Sequence, residues 1–335
     1  MSADIVVGLQ FGDEGKGKVT KCLIEDQKYD YCIRFNGGPN AGHTIYYNGN
    51  KLVTHLVPSG ICTEKTLCII GPSCVVDIKK LDAEIKMLED AGIPLVRDRI
   101  KIAFNSHVIS AAHIADDKRN DVAGSTHSGI RPVYRDKYDR CGQRIEDLCS
   151  QKICGCQVVD TFRVLKDIKD DQKILFEGAQ GFMLDIEWGY YPYVTSSHCI
   201  SMMATTCGYS FRKIKRVYGV CKLYNTYVGN REFQPQNQPE LDKLAILGEE
   251  RGSTTGRVRQ CNWLDLDQLA RAVEINGVSD LIVNKCDIIE KLGIFRLLKN
   301  GELHEFDSIN NMKKYITDYF NGSVNIIYSA SKDSI

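Results

Sequence analysis

Short apolar runs, separated by amphipathic or glycine-rich stretches, recur along this chain. Buried strands are predicted where those runs fall, at residues 5–7, 31–35, 174–176, 217–223, 281–283 and 324–328. Helical spacing of apolar residues predicts helices at 79–91, 264–276 and near 309–320, and residues 19–26 can also continue as helix. Asn48-Gly49 and Asn300-Gly301 predict hairpin turns. The pattern favours an α/β fold, and we expect one large domain from the 335 residues.

The first apolar run leads into a glycine-rich turn, residues 8–18, which carries two lysines and two acids. Between a strand and a helix, such a turn lets backbone N–H groups and the helix dipole face an anion, which predicts a phosphate site. The turn is not a Walker A loop, because Gln10 stands where that motif needs glycine and Gly17 where it needs a hydroxyl. Asp13 and Glu14 inside it indicate a metal ion or a proton transfer. A plain turn with solvated charges is the alternative.

Further polar loops are expected at or between the later strands. They span residues 36–44, 124–132, 177–181, 191–197 and 251–259. Loops that follow neighbouring parallel strands meet at the carboxyl edge of the sheet, and we expect the first two glycine-rich loops to do so. His43 would lie in a loop at that rim, with few packing duties. Gln180 can offer a donor and an acceptor to a purine, while Arg257 and Arg259 can grip carboxylates or phosphates.

Asn284-Lys285-Cys286-Asp287 directly follows the predicted strand at 281–283. In this arrangement GTP-binding proteins recognise guanine, since the aspartate accepts from the ring N–H and the exocyclic amine while the lysine stem covers the ring. Four residues are a weak signal alone. Together with the phosphate turn they predict a GTP site.

Composition limits the class of protein. Lys+Arg and Asp+Glu both number 43, so nothing indicates binding to nucleic acid or to an anionic membrane. No apolar run is long enough to span a membrane and no signal peptide is evident, so we expect a cytoplasmic protein. The fourteen cysteines are expected to be reduced thiols, most of them in the core. Zinc at Cys141, Cys149, Cys154 and Cys156 is a weaker alternative, because Cys-Gly-Cys is too short for the usual knuckle.

Taken in order, six segments resemble the signature segments of the adenylosuccinate synthetase family, and the resemblance covers nearly the whole chain. They are residues 12–18, 40–44, 177–181, 191–197, 254–257 and 285–287. The resemblance implies a P-loop-NTPase-like fold with a mostly parallel central sheet and helices on both faces, in a single domain of residues 1–335. It implies a ligase that joins L-aspartate to IMP through 6-phosphoryl-IMP, converting GTP to GDP and phosphate in AMP biosynthesis. It also implies Mg²⁺ as cofactor and a homodimer with a shared active site.

The resemblance further implies roles for individual residues. Asp13 would remove the N1 proton of IMP, His43 would act as acid at the transferring phosphoryl group, and Mg²⁺ would bind Asp13 and the Gly42 carbonyl. GTP would meet Gly12, Glu14, Gly15, Lys16, Gly17, Lys18, Gly42, His43, Thr44, Arg259, Lys285, Asp287, Ser329 and Ser331. IMP would meet Asp13, Lys16, Asn40, Thr126, Gln180, Thr195, Arg257 and, from the neighbouring subunit, Arg140. Aspartate would meet Ser253, Thr254, Thr255, Gly256, Arg257 and Arg259.

Some positions depart from the usual family pattern. Phe11 replaces tryptophan, Val258 replaces an arginine, and the loop usually written Gly-Thr-Thr-Gly-Arg-Gly-Ile-Gly-Pro is here Gly-Ser-Thr-His-Ser-Gly-Ile-Arg-Pro at residues 124–132. The chain resembles the compact archaeal form and also viral relatives that act on dGMP. Those viral enzymes typically lack the loop aspartate and the guanine-recognising Lys-x-Asp, both present here, which favours IMP and GTP.

Two alternative functions stay open at this point. Gln10-Phe11 and residues 125–128 also look like the viral form, so a 2-aminoadenylosuccinate synthetase acting on dGMP is one alternative. A GTP-binding switch protein without ligase activity is the other. It explains the phosphate turn and Lys285 to Asp287, but it leaves His43, Gln180 and the arginine pair without a role.

Overall fold

The computed structural model describes residues 2–120, 124–252 and 256–335. Its strands are β1 (Ser2–Gly8), β2 (Tyr31–Arg34), β3 (His43–Tyr47), β4 (Asn50–Thr54), β5 (Leu67–Ile70), β6 (Val75–Val76), β7 (Ile100–Ala103), β8 (His107–Val108), β9 (Lys152–Ile153), β10 (Cys156–Val159), β11 (Lys173–Glu177), β12 (Ile214–Lys222), β13 (Tyr224–Tyr227), β14 (Gln260–Asp265), β15 (Asp280–Asn284), β16 (Phe295–Lys299), β17 (Glu302–Phe306) and β18 (Asn325–Tyr328). The predicted strands all fall within or overlap members of this set.

The helices connect these strands. They are α1 (Lys16–Gln27), α2 (Ile78–Asp90), α3 (Val96–Arg99), α4 (Ala111–Arg119), α5 (Ile130–Tyr138), α6 (Thr161–Lys166), α7 (Pro239–Leu247), α8 (Leu266–Asn276), α9 (Cys286–Leu292) and α10 (Ile309–Phe320). Short 3₁₀ helices span Ser59–Cys62, Glu146–Leu148, Phe182–Leu184, Ser201–Cys207 and Phe211–Lys213. In the part of the chain that is described, no helix has both the length and the apolar character needed to cross a membrane.

A ten-stranded sheet organises the molecule, in the order β18-β15-β12-β1-β11-β2-β5-β7-β10-β9. Neighbours are parallel except for β9, which pairs antiparallel with β10. Successive side chains of β1 point to opposite faces, so that Ile5 and Val7 join one core cluster and Val6 the other. Helices α8 and α10 pack in the first cluster, and α1 and α2 in the second. The predicted mostly parallel sheet with helices on both faces is confirmed, whereas the single domain of residues 1–335 stays a prediction.

Strand order corrects one expectation about the loops. The strands that precede the first two glycine-rich loops, β1 and β2, are not neighbours, because β11 lies between them and pairs with both. Since β11 ends at Glu177, its loop with Gln180 is inserted between the other two. Three strand ends therefore meet where the sequence suggested two.

The helix predicted at residues 264–276 begins two residues later than expected. Leu264 and Asp265 end β14, which belongs to a separate four-stranded sheet ordered β13-β14-β16-β17. Asp265 then caps α8, its carboxylate accepting the N–H of Gln268 at 3.0 Å. The apolar run at Trp263-Leu264 merges with the helical spacing that follows, which hides the boundary. The hairpin turns at Asn48-Gly49 and Asn300-Gly301 are confirmed, with φ positive at all four residues.

Candidate active site

A cavity of about 490 Å³ lies beside the loops that follow β1, β2 and β11. Of the site residues suggested by the sequence, those lining it are Gly12, Asp13, Lys16, Asn40, Gly42, His43, Thr126, Gln180, Thr195, Arg257 and Arg259. Those outside its lining are Glu14, Gly15, Gly17, Lys18, Thr44, Arg140, Gly256, Lys285, Asp287, Ser329 and Ser331. Ser253, Thr254 and Thr255 lie outside the described residues. The cavity thus brings together the two proposed proton-transfer residues and the polar groups assigned to IMP other than Arg140.

Glu14 organises the phosphate turn from inside. Its carboxylate is buried and accepts the N–H groups of Gln10 and Gly12 at 3.1 and 2.9 Å, while Lys16 Nζ donates to it at 2.6 Å. Space for the carboxylate exists only because Gly8 and Gly181 beside it lack a Cβ. An internal anion therefore already occupies the first N–H groups of the turn. The part left to face a phosphate begins at Asp13, ahead of α1.

Lys18 points away from the cavity toward the end of the chain. Its Nζ donates to the side chains of Asn284 at 2.7 Å and Ser329 at 2.9 Å, and to the carbonyl of Ser331 at 3.0 Å. Asn284 Nδ2 in turn donates to the Glu14 carbonyl at 2.7 Å. The phosphate turn and the predicted guanine-binding segments are consequently adjacent, and Lys18 joins them. Lys285 is the N-cap residue of α9, and Asp287 lies in its first turn.

His43 is a buried strand residue, so the prediction from the sequence that it lies in an open loop with few packing contacts was wrong. It begins β3, pairs with Thr54 across the hairpin and is 5 % exposed. Its Nδ1 lies 2.6 Å from Glu177 Oε1, and its Nε2 lies 3.2 Å from Arg34 NH1. Because a carboxylate only accepts and a guanidinium only donates, this network assigns the ring proton to Nδ1. Burial and the Arg34 charge lower the pKa of His43 to about 4, although Glu177 opposes them.

Glu177 holds several groups around His43. Ser59 donates to it from both its backbone N–H, at 2.8 Å, and its hydroxyl, at 2.5 Å. Arg34 NH2 lies 3.7 Å from the same carboxylate, and the side chains of both residues are almost fully buried. Burial raises the pKa of Glu177, but Arg34 and His43 lower it by a larger amount, so that the pKa is about 2. This carboxylate is therefore ionised throughout the physiological range.

Asp13 is paired with Arg259 at the cavity wall. Arg259 Nε donates to the Asp13 carboxylate at 2.8 Å, and Arg259 NH1 donates to Glu250. Glu250 also accepts from Lys222 at 3.1 Å and from the Tyr224 hydroxyl at 2.5 Å. Lys222, the last residue of β12, and Glu250, which follows α7, are both buried. The predicted base and the predicted aspartate-binding arginine thus form one chain of charges with this buried pair.

Two polar side chains of the cavity have atoms with no partner in the described structure. They are Gln180, through both Oε1 and Nε2, and Asn40, through Oδ1. Gln180 also has a positive φ of 59°, which aims its side chain from the tight turn after β11. Polar atoms that are shielded from water without a hydrogen bond are costly, and ligand binding is a common reason for keeping them. Arg257, on another side of the cavity, donates to the Gly124 carbonyl at 3.0 Å.

Sequence analysis missed the buried carboxylates Glu177 and Glu250 and the buried Arg34. Arg34 could have been found, because a charged residue inside the apolar run at 31–35 needs a buried partner. Glu177 offered a similar signal, since it follows an apolar strand directly and precedes Gly178. Glu250 offered none. It adjoins Glu249 in a charged stretch that is typical of a solvated turn.

Comparison with known sequences places the chain beside one group of enzymes. A family model described as adenylosuccinate synthetase matches residues 5–162 and 151–303. The adenylosuccinate synthetase of Syntrophobacter fumaroxidans is 38 % identical over 354 residues, which cover 90 % of this chain and 82 % of that protein. The enzyme of the same name from Fusobacterium nucleatum is 39 % identical over 352 residues, with the same coverage of both chains.

Solved structures give the same result for the fold. The fully ligated adenylosuccinate synthetase of Plasmodium falciparum superposes with a TM-score of 0.85 at 26 % identity, covering 99 % of this chain and 98 % of that one. The succinoaminodeoxyadenylate synthetase of cyanophage S-2L, solved with dGMP and dATP, superposes with a TM-score of 0.79 at 22 % identity. That alignment covers 99 % of this chain and 93 % of the phage enzyme, and it shows a shared fold.

Proposed function

This chain belongs to the adenylosuccinate synthetase family, and we propose that its cavity carries out that family's reaction, the GTP-dependent joining of L-aspartate to IMP. The observation that supports this function best is the meeting of three features in one cavity. They are the phosphate turn with Asp13 and Lys16, the unpartnered Gln180, and the pair Arg257 and Arg259. A GTP switch needs only the first of these, so the ligase accounts for more of the site.

The reaction needs a leaving group at C6 of IMP before an amine can displace its oxygen. Asp13 takes the N1 proton, and O6 attacks the γ-phosphorus of GTP while the bond to the β-phosphate oxygen breaks and GDP leaves. The aspartate amine then attacks C6, the C6–O bond breaks, and phosphate departs as the amine loses a proton. Arg259 donates to Asp13, and its transfer to a substrate carboxylate would release the base for this work.

His43 would stabilise the phosphoryl group during its transfer. Since Glu177 holds the Nδ1 proton, Nε2 is the ring atom that can face a phosphoryl oxygen in place of Arg34. The ring is neutral near pH 7, because burial and Arg34 lower the pKa of His43 to about 4. The negative charge of a bound phosphoryl group favours the protonated ring, which can then donate from Nε2 as the predicted acid.

The cavity fits a magnesium ion whose coordination shell is completed by oxygens of the substrate. Mg²⁺ in such sites commonly takes one or two carboxylates together with phosphate oxygens and water. Asp13 is a partly exposed cavity carboxylate, and within residues 2–120, 124–252 and 256–335 no group of three His, Cys, Asp or Glu side chains forms a metal site. Asp13 and the Gly42 carbonyl would hold the ion. When bound, it supplies positive charge against the phosphate oxygens.

The remaining roles concern groups outside the cavity lining and the segment that leads to Arg257 and Arg259, which line it. Guanine would meet Lys285 and Asp287, with Ser329 and Ser331 beside them, and Lys18 connects this region to the phosphate turn. Arg140 is exposed just after α5 and would reach the monophosphate of a neighbouring subunit in a homodimer. Aspartate would meet the segment from Ser253 to Arg259.

The proposal is tested by measuring phosphate release from GTP with magnesium and aspartate, comparing IMP with dGMP. We expect release with IMP only, falling at least about 100-fold in Asp13→Asn, which removes the base. Asn tolerates the positive φ of 59° at this position, so that variant should fold normally.

Other outcomes would change the assignment. Release with dGMP only would assign the chain to the 2-amino branch. Phosphate release that does not depend on either monophosphate, or that is unchanged in Asp13→Asn, would contradict the ligase mechanism.

A further inference from the structure

Arg131 lies on the first turn of α5 and lines the cavity. The residues on either side of it, Ile130 and Pro132, are buried, whereas Arg131 is exposed. Ile130 also lines the cavity, so this turn of the helix forms part of the wall. Family members usually have glycine where this chain has Arg131, which makes the guanidinium a feature of this chain rather than of the common pattern.

The other cationic side chains of the cavity wall are already occupied. Lys16 is bound to Glu14, Arg259 to Asp13 and Glu250, Arg257 to the Gly124 carbonyl, and the His43 ring to Glu177. Arg131 makes no hydrogen bond or ion pair with any residue that the structure describes. Among the described residues that line the cavity, it is therefore the cation with no hydrogen bond or ion pair to break, although its charge also acts on Asp116.

We propose that Arg131 binds the 5′-phosphate of the nucleoside monophosphate from within the same subunit, an inference that rests on the proposed function. A guanidinium fork matches two phosphate oxygens, and charge-assisted bonds of this kind are among the strongest in proteins. Thr126 also lines the cavity, and its hydroxyl donates to Ser128 at 3.1 Å within the loop that leads into α5. A hydroxyl from this loop and a guanidinium from the first turn of α5 are both groups that bind phosphate oxygens.

The position of Arg131 distinguishes the monophosphate from the other anions that enter the cavity. The triphosphate of GTP is expected at the start of α1, beside Lys16, and the aspartate carboxylates at Arg259 and at Arg257, which is expected to meet IMP as well. Arg131 is on α5, which follows the 124–128 loop, and Arg257 donates to Gly124 of the same loop. The side chain of Ile130 packs close to Gly38, since a Cβ added to this glycine would lie 3.0 Å from Ile130 Cδ1. Gly38 belongs to the same loop as Asn40, whose Oδ1 has no hydrogen-bond partner.

The test measures three Michaelis constants in Arg131→Gln, Arg131→Lys and a matched control. Arg135→Gln is that control, because it removes the same charge one turn along α5, where Arg135 pairs with Asp116 outside the cavity. We expect Arg131→Gln to raise the KM for IMP about tenfold to a hundredfold, with the KM values for GTP and aspartate and the unfolding temperature unchanged. Arg131→Lys should recover part of the loss, and Arg135→Gln should match the wild type.

Several outcomes would overturn the inference while leaving the ligase intact. An unchanged KM for IMP in Arg131→Gln would do so, as would a rise confined to aspartate or GTP. An equal rise of the KM for IMP in Arg135→Gln would show that the effect comes from the loss of a positive charge on α5, and not from a contact of Arg131 with the phosphate. Failure of the proposed function is a separate result, since the wild type itself would then release no phosphate with IMP. If dGMP is the substrate, the same shift is expected in its KM, because both nucleotides carry the 5′-phosphate.

Discussion

Two sets of polar groups at the cavity differ in how far the protein has already satisfied them: a paired side, whose carboxylates lie behind the lining, and an open side, whose residues belong to the lining. On the paired side, the carboxylates of Glu14, Glu177 and Glu250 each bind a cation and further donors. On the open side, Gln180 and Asn40 have atoms without partners and Arg131 is an unpaired cation within the described structure. The paired side is held in place by the protein's own contacts. We expect the open side to be completed by ligand.

This difference predicts how substitutions divide between stability and activity. Removing one member of a buried charge network leaves the others unpaired, so both folding and chemistry should suffer on the paired side. Removing a group that has no partner in the free protein should cost only what it contributes to the ligand. The predictions below are ordered by their expected effect on turnover.

Of three substitutions, which are Glu177→Gln, Gln180→Asn and Phe11→Leu, the first should have the largest effect on turnover. It keeps the shape of the side chain but removes the charge that fixes the Nδ1 proton of His43 and balances Arg34. We expect kcat to fall at least about 100-fold with KM values within about threefold, since Glu177 touches no substrate in the proposed mechanism. The unfolding free energy should also fall, by about 3 kcal/mol. Steady-state kinetics and thermal unfolding measure both.

The control for Glu177→Gln is Glu84→Gln. Glu84 is also a buried carboxylate, but it accepts the backbone N–H groups of His55, Leu56 and Val57 at 2.8 to 3.0 Å, outside the cavity lining. It should lose stability while keeping its kcat. If both variants lost turnover equally, the role of Glu177 would be structural only, and the paired side would carry no positioning function.

Gln180→Asn should have an intermediate effect. Asparagine tolerates the positive φ at this position, yet its amide is one carbon shorter and would withdraw from a bound purine. We expect kcat/KM for IMP to fall about tenfold to a hundredfold, with the unfolding temperature within about 2 °C of the wild type. A variant that lost several degrees but kept its kinetics would place Gln180 on the paired side.

The same division separates what the sequence predicted from what it did not. The phosphate turn, the positions of β1, β2, β11 and β15, and the interest in Gln180 followed from glycine-rich turns after apolar runs, whereas Asn40 came from the family resemblance and Arg131 was not predicted. Such signals are local, because a turn and the strand before it are adjacent in the sequence. The sheet order that inserts β11 between β1 and β2 depends on pairing over more than a hundred residues.

The charge networks of the paired side were harder to predict for the same reason. Glu177 and His43 are 134 positions apart in the sequence, and Asp13 and Arg259 are 246 apart. A partner at such a distance leaves no spacing pattern. For this reason His43 was expected in an open loop, although the β3–β4 hairpin and Glu177 bury it. A buried partner could be inferred only for residues such as Arg34, whose charge stands inside an apolar run.

Phe11 lies at the boundary between the two sides and should have the smallest effect on turnover. Its ring lines the cavity, but it also packs edge-on against Phe233 at 4.9 Å and Tyr227 at 5.7 Å, and beside Tyr190 at 5.8 Å. Phe11→Leu should lower the unfolding free energy by about 1 to 3 kcal/mol through lost ring contacts, with kcat/KM changed less than about threefold. Phe11→Trp, which introduces the residue usual in the family, is the control and should remain near the wild type in both measurements. If Phe11→Leu instead kept its stability and lost as much kcat/KM as Gln180→Asn, the ring would be a ligand contact. The open side would then extend into the phosphate turn itself, and Glu14 alone would mark where the paired side begins.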